Sequence, residues 1–152
     1  MRTLAIDLGT RRIGLAMSDE GGQFGTPHDV MTVASSEAAI EPIAKLARAE
    51  GVQRLVVGLP LNMDDTPGPA ARAAVAWGDR LAAAAGAPVV YVDERLSSFA
   101  AEQSLNARRR GGERLTRGKK KQQLDALAAA DFLQAFLDHR LPEIDVSDLR
   151  AR

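Results

Sequence analysis

The sequence predicts a single α/β domain in which helices pack on the faces of a mixed β-sheet. Three observations support this fold class. The first third of the chain holds short strand-like segments, the rest alternates between helical and strand-like segments, and one internal segment is continuously apolar. A chain of 152 residues that is 45% hydrophobic and 26% charged matches one core of ordinary size.

Three strands are predicted at the start of the chain. Residues 2–7 and 13–18 are rich in apolar residues and are separated by a short turn, so they should form a hairpin. A third strand is predicted at residues 28–33. Because Pro27 precedes it and proline has no N–H to donate, this strand should lie at an edge of the sheet.

A helix should follow these strands. Ser35 or Ser36 can cap its first turn, and Gly51 marks its end. Pro42 is expected in the first turn, where a missing N–H costs least. The residues predicted on its inner face are Ile40, Ile43, Leu46 and Ala47.

The middle of the chain predicts two further strands with a helix between them. Residues 53–58 contain the apolar run typical of a strand that is buried on both faces. Residues 59–69 are rich in proline, glycine, asparagine and aspartate and predict a loop. Pro69 can open a helix that reaches Gly86, and a strand is predicted at 89–92.

The last third predicts two helices separated by a basic loop. Ser97 or Ser98 can cap a helix that reaches about Ala107. Residues 122–139 predict an alanine-rich helix that Pro142 stops, and residues 143–152 show no strong pattern.

Composition excludes several classes of protein. The chain has no cysteine, which rules out disulfides, zinc–thiolate sites and cysteine nucleophiles. Its start does not resemble a signal peptide, and no apolar run approaches the roughly 20 residues that span a bilayer. We therefore expect a cytoplasmic protein without a membrane role. His28 and His139 fit no metal-binding spacing.

Carboxylates at strand ends and on the last helix are candidates for chemistry. Asp7 ends the first predicted strand, Asp93 and Glu94 follow the strand at 89–92, and Asp125 lies in the first turns of the last helix. Ligands of open α/β sheets bind beyond the carboxyl ends of strands. Each acid also has an ordinary structural interpretation as a turn residue, a cap or a member of a surface ion pair. Adjacent strand residues point to opposite faces, so only one of Asp93 and Glu94 should join such a site.

Three carboxylates that converge repel one another unless divalent cations neutralise them. Because oxygen ligands dominate and histidine is scarce, the ion would be Mg²⁺ or Mn²⁺. Two such ions, about 3.5–4 Å apart, can activate water and stabilise the leaving oxygen of a phosphodiester.

Basic residues are concentrated just before the last helix, although the net charge of the chain is zero. A solvated loop is the ordinary interpretation of such a run. Its position beside Asp125 favours a surface that attracts the phosphate backbone of a nucleic acid. The segment contains no aromatic residue, so base stacking is not expected to be its main contact. Eight of the 20 basic residues of the chain fall in this segment: Arg108, Arg109, Arg110, Arg114, Arg117, Lys119, Lys120 and Lys121.

Four motifs, in the same order, resemble those of the YqgF/RuvX family. They are residues 5–9 with 12–19, residues 57–64, residues 92–96, and Lys121 with Asp125, Ala128, Ala129, Leu133 and Gln134. The resemblance covers residues 1–141 as one domain and leaves 142–152 as a tail. It implies a ribonuclease H-like fold, with three antiparallel strands and two parallel ones, and an acidic triad of Asp7, Glu94 and Asp125. Asp65, where glycine is usual, and Ser97 and Ser98, where threonines are common, depart from the family pattern but do not touch the triad.

The resemblance implies a metal-dependent nuclease that matures the 5′ end of the small-subunit ribosomal RNA precursor, in contact with RNA and with ribosomal precursor particles. Three alternatives stay open. One is a Holliday junction resolvase that acts on branched DNA, which would favour a homodimer over a monomer. Another is a non-catalytic RNA-binding factor of ribosome assembly. The third is an actin-like or sugar-kinase-like ATPase, since residues 7–10 resemble the first phosphate-binding motif of that superfamily; those proteins close two domains around the nucleotide, and 152 residues supply only one.

Overall fold

The computed structural model describes residues 1–9, 11–61, 66–93 and 117–150, with side chains from 126 onward in the last of these ranges. Five strands form one sheet in the order β3-β2-β1-β4-β5. The pairs β1–β2 and β2–β3 are antiparallel, whereas β1–β4 and β4–β5 are parallel. The predicted mixed sheet of three antiparallel and two parallel strands is therefore confirmed. The elements are β1 (Thr3–Leu8), β2 (Arg12–Ser18), β3 (Gly25–Thr32), α1 (Ser36–Ala49), β4 (Arg54–Leu59), α2 (Pro69–Ala85), β5 (Val89–Asp93), α3 (Arg117–Leu137) and α4 (Ser147–Arg150).

A tight turn joins β1 to β2. The N–H of Gly9 donates to the carbonyl oxygen of Arg12 at 3.0 Å. A Cβ atom on residue 9 would lie only 2.4 Å from that oxygen, so the turn accepts glycine alone. The predicted hairpin is confirmed.

The third strand begins earlier than predicted and includes the proline that was expected to precede it. Pro27 pairs with Ala16, beside the register shift between Leu15 and Ala16. The missing N–H of proline is tolerated there because β3 is an edge strand and its ladder is already interrupted.

Helix α1 has the predicted cap but not the predicted position for its proline. The side-chain oxygen of Ser35 accepts a hydrogen bond from the N–H of Ala38 at 3.3 Å. Pro42 lies in the second turn, not the first. Its missing N–H deprives the carbonyl of Ala38 of its helical donor, and since both residues are exposed, water can take that place. Ile43 and Ala47 are buried as expected, whereas Ile40 and Leu46 are only partly buried.

The two faces of the sheet bury separate apolar clusters. Leu4 and Ile6 of β1 pack with α1 and α2, and Ala5 packs on the other face with α3. This alternation follows from the two-residue period of a strand. Among the described residues, no helix is long and apolar enough to cross a bilayer.

Helix α3 begins at Arg117, five residues before the predicted start at Gln122. The prediction that the basic loop extends to Lys121 is therefore wrong in its last part, because Arg117 and Lys119–Lys121 have helical backbone. Arginine, lysine and glutamine are good helix formers, so the helix extends backwards through them. Its end is a Schellman motif, in which His139 takes a positive φ of 59° and the N–H of Arg140 donates to Ala135.

The segment after Pro142 packs on the rest of the domain. The N–H of Ile144 donates to the carbonyl of Tyr91 at 2.7 Å, and Val146 is buried in the cluster under α1 and α2. Arg150 makes two 2.9 Å hydrogen bonds to the carboxylate of Asp79. Tyr91 donates to the same carboxylate at 2.8 Å, and burial raises the pKa of its hydroxyl. A polar cluster thus ties the chain end to α2 and β5.

Candidate active site

Asp7 lies near the carboxyl end of β1 and is half-buried. Its strand neighbours Ile6 and Leu8 face α1 and α2, and Ala5 faces α3. Strand alternation therefore places Asp7 on the face that α3 covers. Its antiparallel partner is Gly14, which brings no side chain to that position.

Asp93 does not share a face with Asp7. Tyr91 of β5 is buried in the cluster under α1 and α2, and Val92 is buried in the cluster under α3. Alternation then directs Asp93 to the α1–α2 face, across the sheet from Asp7. Of the two neighbouring acids, Asp93 is thus the one that this site excludes. Glu94 lies outside the described residues.

Helix α3 carries position 125 on the side that meets the sheet. Ala129, one turn later, and Phe132 and Leu133, two turns later, are all buried against the sheet. Residues spaced by four and by seven or eight share a helix face. The backbone of residue 125 is therefore in line with the sheet-facing stripe, and the role of Asp125 stays a prediction.

Small residues let α3 approach the sheet closely. Ala5, Ala16 and Ala129 belong to the same buried cluster, and Gly25 faces Leu133 so tightly that an added Cβ would be 2.9 Å from its Cγ. Close packing of this kind leaves the helix little freedom to shift relative to the sheet.

Gln134 ties α3 to the start of β3. Its Oε1 accepts from the N–H of Gly25 at 2.8 Å, and its Nε2 donates to the carbonyl of Gln23 at 2.9 Å. Reasoning from composition and spacing does not find this residue, and only the family resemblance singles it out. A glutamine on an otherwise apolar helix face is the signal that could have indicated it.

The direction of α3 brings its first half toward Asp7. Phe136, near its end, packs under the guanidinium of Arg54, 4.7 Å from the ring centre, at the amino end of β4. From Leu133 back to residue 125 the helix rises about 12 Å. From Ser18, which pairs with Gly25, to Gly14, which pairs with Asp7, β2 covers about 13 Å. Because Gly25 contacts Leu133 and the two lengths are nearly equal, a helix that runs along the strands brings position 125 to the same height in the sheet as Asp7.

None of the other predicted site residues has a side chain among the described parts of the chain. Arg108, Arg109, Arg110 and Arg114 lie outside those parts entirely. Arg117, Lys119, Lys120, Lys121 and Asp125 are described as helical backbone only. Within the described residues, no three histidines, cysteines or acids form a group that could hold a metal ion, and Asp7 is the only triad member whose side chain this covers.

The sheet order, the helices and the acid near the end of β1 define a ribonuclease H-like α/β protein. Two structures of Thermus thermophilus RuvC share this fold. One, in complex with a Holliday junction substrate, has a TM-score of 0.53 and 17% identity, covering 95% of this chain and 99% of that chain. The other has a TM-score of 0.52 and 16% identity, covering 95% of this chain and 100% of that chain.

Sequence comparison gives the family. A family model described as "RuvX: Holliday junction resolvase" matches residues 1–139, so the chain belongs to the RuvX family. A relative from Anaeromyxobacter sp. strain K, named "Putative pre-16S rRNA nuclease", is 50% identical over 144 residues, which are 93% of this chain and all of the relative. One of the same name from Acidiphilium cryptum is 40% identical over 90% of this chain and 84% of the relative. The predicted family is confirmed, and it fits the predicted nuclease function.

Proposed function

We propose that this protein is a divalent-metal-dependent nuclease that hydrolyses phosphodiester bonds during 5′-end maturation of the small-subunit ribosomal RNA precursor. The observation that carries the proposal is Asp7, which lies near the carboxyl end of β1 on the sheet face that α3 crosses. The name shared by relatives at 40–50% identity supports the RNA substrate.

The donor set fits a hard cation. Asp7 offers carboxylate oxygens at a half-buried position, and we assign Glu94 and Asp125 as the other ligands on the basis of the family resemblance. Two Mg²⁺ or Mn²⁺ ions would supply an activated water and stabilise the leaving oxygen. The task of the chain itself is to hold the carboxylates in position, which the close packing of α3 on β1 and β2 favours.

Substrate binding is assigned to the basic segment from Arg108 to Lys121. Because α3 begins at Arg117, four of these cations belong to the same helix as Asp125. A phosphate backbone attracted to the start of α3 is then brought to the acidic site by the same helix. This arrangement supports a nucleic-acid partner, which in the cell would be free precursor RNA or a cytoplasmic ribosomal precursor particle.

Resolution of branched DNA is the second candidate. The description of the family model and the fold shared with RuvC favour it. A resolvase would have to act as a homodimer, because two strands are cut across a junction, whereas a monomer suffices for RNA maturation.

The test is cleavage of a labelled small-subunit ribosomal RNA precursor and of a four-way DNA junction, with Mg²⁺ or Mn²⁺. Asp7→Asn should abolish cutting but spare binding, since it removes a ligand charge and keeps the side-chain shape. Asp148→Asn is the matched control, because Asp148 is exposed in α4, which packs on the other side of the sheet. Preference for the junction would favour the resolvase. RNA binding without any cleavage by the wild type would leave the non-catalytic assembly factor.

A further inference from the structure

A preformed cleft opens at the same end of the sheet as Asp7, but on the face that carries α1 and α2. Its volume is about 680 Å³. Leu8, Gly9 and Pro60 line it at the ends of the strands, and Ala73 and Trp77 line it from α2. A cleft of this size with mainly apolar walls has the form of a small-molecule site.

Hydrogen bonds between α1 and α2 hold the cleft open. The indole Nε1 of Trp77 donates to the carbonyl of Ser36 at 2.7 Å. Arg80 of α2 pairs with Glu37 of α1, and all four residues line the cleft. Because these contacts fix the two helices to each other, ligand binding would not carry the entropic cost of ordering the walls of the cleft.

The distance from the cleft to the proposed metal site is similar to the spacing of neighbouring nucleotides in a single strand. Gly9 follows Asp7 by two residues, which limits their Cα separation to about 7 Å. The chain turns at Gly9, so the turn separates the cleft on one face from Asp7 on the other. A single strand with its scissile phosphate at Asp7 could pass over this turn.

We propose that the cleft binds the base of an unpaired nucleotide next to the scissile phosphate. This inference rests on the proposed nuclease function and adds a substrate class to it, namely nucleic acid that is single-stranded at the cut. Apolar walls suit the faces of a base, and the polar groups of Ser36, Glu37 and Arg80 suit its edges. A base held in a duplex would first have to be unpaired and unstacked, which costs free energy, so the cleft favours a base that is already unpaired.

The first test combines a filled cleft with a substrate that lacks one base. Ala73→Leu narrows the cleft at an exposed position of α2, and Ala83→Leu makes the same change at an exposed position of that helix outside the cleft. Removing the base next to the cut should raise KM about fivefold or more for the wild type and for Ala83→Leu. Ala73→Leu should already have a raised KM, and the missing base should raise it less than twofold further.

If removing the base raises KM equally in Ala73→Leu and in Ala83→Leu, the substitution and the missing base act independently. That outcome would overturn the proposal about the cleft and leave the proposed nuclease function standing. A change of oligomeric state in Ala73→Leu, with KM unaltered, would also overturn it, because the cleft would then be a contact between copies of the chain.

A binding measurement separates the cleft from the nuclease function. Trp77 is the only tryptophan in the chain and, although only 2% exposed, is among the residues that line the cleft, so we expect its fluorescence to change when the cleft is occupied. Adenosine monophosphate should change its emission in a saturable way in the wild type and in Ala83→Leu, but not in Ala73→Leu. Such a change in emission by a wild-type protein that cuts no nucleic acid would refute the nuclease function and support the nucleotide site. No change in emission of the wild type would refute the nucleotide site.

Discussion

The substitution Gly25→Ala tests whether the docking of α3 controls the proposed active site. The new methyl carbon would lie 2.9 Å from Cγ and Cδ2 of Leu133 and 3.3 Å from its Cβ. Because the Cβ of Leu133 is fixed to the helix backbone, rotation of that side chain alone cannot relieve the contact. Helix α3 must then move away from β3 by a few tenths of an ångström, and Asp125 must move with it.

The expected cost in stability is about 1 kcal/mol. Overpacking of a close contact costs roughly 1–3 kcal/mol, and replacing glycine by alanine within a strand returns about 0.5–1 kcal/mol, so the net cost lies between about 0 and 2.5 kcal/mol. For a chain of this size, a cost of about 1 kcal/mol should lower the midpoint of thermal unfolding by roughly 2–4 °C. Since a misplacement of 1 Å can cost about 100-fold in rate, we expect kcat to fall about 3–10-fold with little change in KM.

Gly86→Ala is a control of similar cost at a distance from α3. Gly86 ends α2 with a φ of +69°, and an added Cβ there meets nothing within 4 Å. The substitution should therefore cost about 1 kcal/mol through backbone strain alone. Denaturant unfolding and single-turnover cleavage of RNA measure both effects. Equal losses of kcat in the two variants would show that lower stability, rather than movement of α3, explains the result.

A double-mutant cycle checks the contact itself. Leu133→Ala removes Cγ and Cδ2, the two atoms that Gly25→Ala would meet at 2.9 Å, and keeps the Cβ at 3.3 Å; it should cost about 2–5 kcal/mol by itself. In that background Gly25→Ala should be neutral or stabilising, because its methyl fills part of the space. Additive losses of free energy of unfolding would refute the proposed clash.

Three further predictions concern the rest of the domain. The guanidinium of Arg150 holds the pKa of the Asp79 carboxyl below its usual value, so Arg150→Ala should lower the free energy of unfolding by about 1 kcal/mol at pH 7. Because the pKa of Asp79 is lower in the folded state, the difference in stability between the two proteins should vanish as the pH falls through and below about 4. The same pH dependence of unfolding in both proteins would contradict this prediction. His139→Gly should stabilise the protein by about 1 kcal/mol, because glycine takes a φ of 59° without strain, and a lower denaturation midpoint would count against the assigned C-cap. Ser35→Ala should cost about 1 kcal/mol through the lost cap of α1, while Ser35→Asp should retain most of the stability in the same unfolding experiment.

Much of the fold could be predicted because its signals are local. The turn at Gly9, the cap at Ser35 and Pro69 at the start of α2 each depend on residues within a few positions of one another. The apolar run in β4 predicts a strand buried on both faces, and the structure confirms it. The predicted bounds of an element are wrong where a residue type is permitted at two positions relative to that element. Pro27 fits either before an edge strand or within one.

The candidate site could be predicted only in part from the residues themselves. Asp7 follows from its place at a strand end, whereas the choice of Glu94 over Asp93 depended on the family resemblance. The structure gives a physical reason only against Asp93, since the alternation of Tyr91 and Val92 directs Asp93 to the face opposite Asp7, and Glu94 lies outside the described residues. Local pattern alone cannot decide this, because the residue at which a strand ends sets which face its last side chain meets.

The fold class, the order of helices and strands, and the family of this protein can be predicted from the amino-acid sequence alone, because periodicity, capping and motif spacing are encoded by neighbouring residues. How distant segments meet is visible only in the folded domain. Gly25 binds Gln134 across 109 positions, and Arg150 binds Asp79 across 71. Contacts between residues so far apart follow from the packing of whole elements, which no local pattern specifies.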